Sequence, residues 1–142
     1  MRRAPLFHAL DPGLDEAERL LDVSNPDASG KLSQVLSALP DEVEAVRRLN
    51  AVLAQTGATL RLRSGVVSGE EGARQWRLEL RGGTSDSCRL AAAAAGLAGL
   101  VAADGWRRVK RCAIRGCQRG FVDRTNAVSR RYCRAHSRHF ED

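Results

Sequence analysis

Three cysteines and two histidines fall within one short stretch of the chain, and no other feature restricts its fold so strongly. Cys112 and Cys117 are separated by four residues that include Gly116, Cys133 lies sixteen positions further on, and His136 and His139 follow it. A zinc ion takes thiolate sulfur and imidazole nitrogen in a tetrahedron, and these spacings are close to those of structural fingers. Cys112, Cys117, Cys133 and one histidine complete four ligands. His136 suits the first turn of a helix through its C-x2-H spacing, with His139 as the alternative. One structural Zn2+ held on all four sides by protein leaves no position for water or substrate, so the pattern predicts architecture and not hydrolysis. Such sites contribute on the order of 10 kcal/mol in small fingers, enough to fold a segment this compact.

The residues between the ligands suggest a layout. Trp106 to Arg111 reads as a strand entering a tight turn that bears the first two ligands, and Phe121, Val122 and Asp123 as the returning strand. Thr125, Asn126 and Ser129 make a polar turn, after which Arg130 to Tyr132 bring the chain to Cys133 at the start of a short helix. The expectation is a treble-clef-like zinc finger.

Upstream, the period is helical at first. Leu14, Ala17, Leu20 and Leu21 fall on one face of a helix over about 14 to 23, behind an Asp11-Pro12-Gly13 turn and with acids in its first turn. Asn25-Pro26-Asp27 breaks it, and Ser29 is placed to cap a second helix through Leu32, Val35, Leu36 and Leu39. Pro40 suits the first position of a third, which carries Val43, Val46, Leu49, Val52 and Leu53 and stops at Gly57. From Ala58 the period becomes 2: Leu60 and Leu62 alternate with arginines, as do Trp76, Leu78 and Leu80 with Arg77, Glu79 and Arg81. That pattern predicts an antiparallel hairpin over about 58 to 81 with one buried face and a long, Gly-rich, mobile loop. Ser85 then begins an alanine-rich helix to about Ala103, packed closely in the core and stopped by Asp104-Gly105. Cys88, remote from the other cysteines, reads as a small hydrophobe. The fold class is therefore α+β, with a helical amino-terminal domain (1–105) bearing one hairpin and a zinc finger (106–142).

Charge separates the same two parts. The chain of 142 residues has a formal net charge of +6, yet residues 106 to 142 hold 11 Lys and Arg against 3 Asp and Glu, a net +8. Such a segment attracts polyanions. The candidates for phosphate or base contact are Arg107, Arg108, Lys110, Arg111, Arg115, Arg119, Arg124, Arg130, Arg131, Arg134 and Arg138. RNA would ordinarily call for stacking aromatics, and the finger holds few. A protein partner or a second copy docking on a rigid zinc platform is the competing expectation. No apolar run approaches the roughly 18 residues of a membrane helix, the nearest being Leu90 to Ala103. MRRAPLFHALDPG lacks the apolar core of a secretory signal, so the expected location is cytoplasmic, or nucleoid-associated if DNA is bound. No enzyme is expected: His8 has no evident nucleophile beside it, and no phosphate-binding glycine loop appears.

RCAIRGCQRGFVDRTNAVSRRYC resembles the bacterial CGNR-type zinc fingers, whose run is C-x4-C, Phe-x-Asp, then Ser-Arg-Arg-Tyr/Trp-Cys. In that family an ABATE domain precedes the finger, and the RRLNAVLAQ helix, LRLR strand, RQWRLELRG strand and alanine-rich helix come in the family's order. The resemblance implies a DNA-binding transcription regulator and carries over Cys112, Cys117 and Cys133. The family's fourth cysteine and Gly-Asn-Arg have no counterpart in CRAHSRHFED. A small-molecule effector of the amino-terminal domain is a further expectation.

Overall fold

A computed structural model describes residue 7 and residues 13–22, 30–57, 59–66, 74–81 and 85–137. In chain order the elements are α1 (Gly13–Leu21), α2 (Lys31–Ser37), α3 (Glu42–Thr56), β1 (Thr59–Val66), β2 (Arg74–Arg81), α4 (Ser85–Asp104), β3 (Val109–Arg111), β4 (Gly120–Val122) and α5 (Arg134–Ser137). The class is α+β, with two separate two-stranded antiparallel sheets, β1-β2 and β3-β4. No helix among the described residues is long and apolar enough to cross a membrane.

Helix α4 is the axis of the helical part, with α1 and α3 packed against it. Ala93, Ala94, Leu97 and Leu100 are buried, and they meet Leu14, Ala17 and Leu21 of α1 and Ala45, Leu49 and Val52 of α3 in one core. Small residues let the backbones approach. A Cβ on Gly96 would lie 2.5 Å from the carbonyl carbon of Gly13, and one on Gly13 would lie 2.6 Å from the carbonyl oxygen of Ala92. Trp106, Val109 and Val122 complete this core from beyond Asp104, so the β3-β4 pair is seated on the helices.

Several expectations are corrected. Asp41, not Pro40, opens α3: its carboxylate accepts from the Glu44 amide at 3.2 Å, and Gly57 closes the helix at φ 64°. Gly30 stands at the start of α2 without a side-chain cap, and Ser29 lies outside the described residues. The strand expected over Trp106 to Arg111 shrinks to Val109–Arg111, because Trp106 turns into the helical core and its carbonyl accepts from the Val109 amide. The expected antiparallel hairpin forms, with Leu60 opposite Leu80 and Leu62 opposite Leu78. Its apolar face is not buried at Leu62, which is 68% exposed because the helices pack on one another and leave that part of β1 uncovered. Cys88 is exposed too, as is Arg89 beside it, short of the buried face that Ala91, Ala93 and Ala94 present. His8, Asn25-Pro26-Asp27, the hairpin loop and the side chains of Leu60, Trp76, Leu78 and Leu80 lie outside the described residues.

Candidate metal centre and its basic surround

Strand β3 delivers Cys112 into a tight loop. The Cys112 amide donates to Arg119 O at 2.9 Å and the Cys117 amide to Ile114 O at 3.0 Å, while Gly116 takes φ 86°, a conformation that favours glycine. This loop is held to the approach of the third cysteine by the Ala113 amide, which donates to Arg131 O at 2.8 Å. Cys133 then stands at the mouth of α5, its carbonyl accepting from the amides of His136 and Ser137, which points the His136 ring back over the cysteines.

The outcome is a group of four. The ligand atoms of Cys112, Cys117, Cys133 and His136 all lie within 4.8 Å of one another. His136 Nδ1 is 3.4 Å from Cys112 Sγ and 3.3 Å from Cys133 Sγ, and Cys117 Sγ is 3.8 Å from Cys133 Sγ. Zinc bond lengths make the edges of a tetrahedral site about 3.8 Å between sulfurs and about 3.5 Å between sulfur and nitrogen, so the donor set has the dimensions to hold such an ion. Cys112 and Cys133 are buried, with Phe121 beneath them and Ile114 and Tyr132 beside them. Burial pushes the Cys112 thiol up, but amides of Cys133 and Ile114 and the side chains of His136 and Cys133 outweigh it, leaving the thiol at about 7. Burial and the two neighbouring sulfurs push Cys117 the other way. One easily ionised thiol beside a reluctant one is what a metal resolves, since its charge favours thiolate at every ligand. His139 lies outside the described residues.

The basic residues divide sharply. Arg108 is buried: it donates to Asp104 at 2.6 Å and to the carbonyls of Asp123 and Thr125, with its guanidinium over the Phe7 ring. Lys110 Nζ spends three donors on Asp123 Oδ2 and the carbonyls of Val128 and Arg130. Arg111 reaches Ser33 O and Ser37 Oγ of α2, and Arg124 reaches Asp15 and Glu18 of α1. These four fasten the segment internally and offer little to a partner. Arg107 pairs with Asp104, Arg119 stands 3.9 Å from Asp22, and Arg130 and Arg131 lie over the Phe121 and Tyr132 rings. Arg115 and Arg134 are exposed, and Arg138 is outside the described residues.

Asp123 is the residue that reading for ligands and cations passed over. Fully buried, it accepts from Lys110 Nζ, from the Thr125 amide and hydroxyl, and from the Arg130 amide. The signal was available, because Asp123 is the sole acid between Trp106 and Phe140. The chain matches no family model and no curated protein.

Proposed function

We propose that this chain is a zinc-dependent, DNA-binding transcription regulator whose treble-clef-like finger carries one structural Zn2+ on Cys112, Cys117, Cys133 and His136. The observation that carries this reading is the closed set of four donors at zinc-like spacing. When bound, the ion neutralises the thiolates and fixes the loop, the β3-β4 pair and α5 to one another. No ligand position is left for chemistry on a substrate, which favours binding over catalysis. DNA is supported by exposed arginines on the same rigid unit, Arg115, Arg131 and Arg134 foremost, and by the resemblance to the CGNR-type fingers.

Elemental analysis of protein purified without added metal tests the first half: about one zinc per chain is expected, lost in Cys133→Ser and in His136→Ala. Duplex binding that weakens steeply with salt tests the second. A protein-docking role is the second reading, favoured by exposed Leu62 on the hairpin and Val43 on α3. It is distinguished by binding without a steep dependence on salt and without affinity for duplex.

A further inference from the structure

A cleft of about 440 Å³ opens between α1 and the metal-bearing segment, with Phe121 and Val122 of β4 at its back. That size falls in the range of small-ligand sites and exceeds what a single inorganic anion needs. Its charges are unevenly satisfied. On the α1 wall Asp15 and Glu18 both engage Arg124, at 2.7 and 2.6 Å, and Asp22 stands 3.9 Å from Arg119. Arg19, also on that wall, is paired with Glu16. Burial pushes the Glu18 carboxyl up, against the pull of Arg124 and, to a smaller extent, of Arg130.

The opposite wall is different. Arg130 is anchored by one edge, its Nε donating to Tyr132 O at 3.0 Å and its plane lying 4.7 Å above the Phe121 ring. Its terminal nitrogens donate to nothing among the described residues. The guanidinium of Arg134, on α5, makes no hydrogen bond or ion pair among them either. Two guanidinium groups therefore border one cleft with donors to spare, one of them held in place by an aromatic platform. Arginine forks match the oxygens of phosphate in pairs, which a single carboxylate or a halide would only half satisfy.

We propose that this cleft is a seat for a phosphoryl group, held by Arg130 and Arg134, with room for the sugar that carries it. A soluble phosphate monoester and a phosphodiester of a nucleic acid present the same chemistry. The seat goes beyond the DNA reading, because it requires a phosphate and not a duplex.

Calorimetric titration of the whole 142-residue chain, loaded with metal, with ribose 5-phosphate, and separately with a short duplex, distinguishes the sources. Both are repeated with Arg134→Ala and with Arg61→Ala, an exposed arginine of β1 that neither lines the cleft nor belongs to the basic segment. Loss of one charge-assisted contact is expected to weaken binding about tenfold in Arg134→Ala and less than about twofold in Arg61→Ala. That contrast for ribose 5-phosphate supports a soluble ligand; the same contrast for the duplex alone supports a phosphodiester. Duplex binding that both substitutions weaken alike overturns the seat and leaves the DNA reading standing. Ribose 5-phosphate binding with that contrast, in a chain with no affinity for duplex, upholds the seat and removes DNA. No binding of either overturns both.

Discussion

Asp123 shows how one side chain can hold a small segment together. Its carboxylate collects four hydrogen bonds from three residues, and Lys110 extends the network to the carbonyls of Val128 and Arg130. Burial pushes the Asp123 carboxyl up, but Lys110, Thr125 and Arg130 pull harder, so it is held below the usual carboxylate range. A folded-state pKa below the unfolded one means that the unfolded chain binds the proton first. The stabilisation is therefore fully present above about pH 4 and drains away as the medium becomes more acidic. Asp123→Asn is expected to cost about 2–3 kcal/mol in urea unfolding at pH 7, by leaving Lys110 without its counter-charge. Between about pH 5 and pH 3 the variant should lose less stability than the parent, and equal slopes would show that the carboxylate contributes little. The three cysteines were legible at this scale, since Cys112, Cys117 and Cys133 follow from spacing and tetrahedral chemistry, while His136 was preferred to His139 as the fourth donor and lies with the cysteines. The division of the basic residues was not. Arg108, Lys110, Arg111 and Arg124 look in sequence like any solvent-facing cation, and apart from Asp104, four residues before Arg108, their acceptors are carboxylates far along the chain, the Ser37 hydroxyl and backbone carbonyls, which leave no trace in composition.

Among the elements, the helices were the most legible and their contacts the least. The periodicity of α1 and α2 identifies a core face in each, but in α3 it holds only for Leu49, Val52 and Leu53: Val43 and Val46 are exposed, and Ala45 is buried in their place. Alternation indicates which residues share a face of a sheet, but not whether anything covers that face, and Leu62 marks the difference. The pairing of α1 with α4 is visible only as two glycines far apart in the chain. Gly96→Ala places a methyl group against the Gly13 backbone, which cannot yield without moving α1. The gain in helix propensity from Gly to Ala is under about 1 kcal/mol, and the overpacking should exceed it, for a net loss of about 2 kcal/mol. Chemical denaturation gives the value directly. Ala95→Ser, one position earlier on a half-buried site, is the control, expected within about 1 kcal/mol of the parent. A neutral or stabilising Gly96→Ala would mean that α1 and α4 stand further apart than this packing requires.

Across the whole molecule, the segment that bears the four donors and the helices share their interior. Trp106, Val109 and Val122 sit in the core with Leu14, Leu21, Leu36 and Leu97. A Cβ on Gly120 would come within 2.7 Å of the Leu36 side chain, so β4 lies directly on the helices. Arg111 ties β3 to α2, and Arg124 ties the chain after β4 to α1. Cys112, Phe121 and Cys133 form a separate small cluster with Ile114, Cys117 and Tyr132, so three of the four donors belong to it. Loss of metal should then be felt well beyond the ligands, because β3 and β4 cannot loosen without exposing Val109 and Val122. With a site worth on the order of 10 kcal/mol in isolated fingers, and about 3 °C of midpoint per kcal/mol in a chain of this size, chelation should lower the thermal midpoint by well over 10 °C. Helical circular dichroism should report the same single transition as the tryptophan fluorescence. If the helices melt at an unchanged temperature after chelation, the shared core carries no coupling, and the two parts are stable independently of each other.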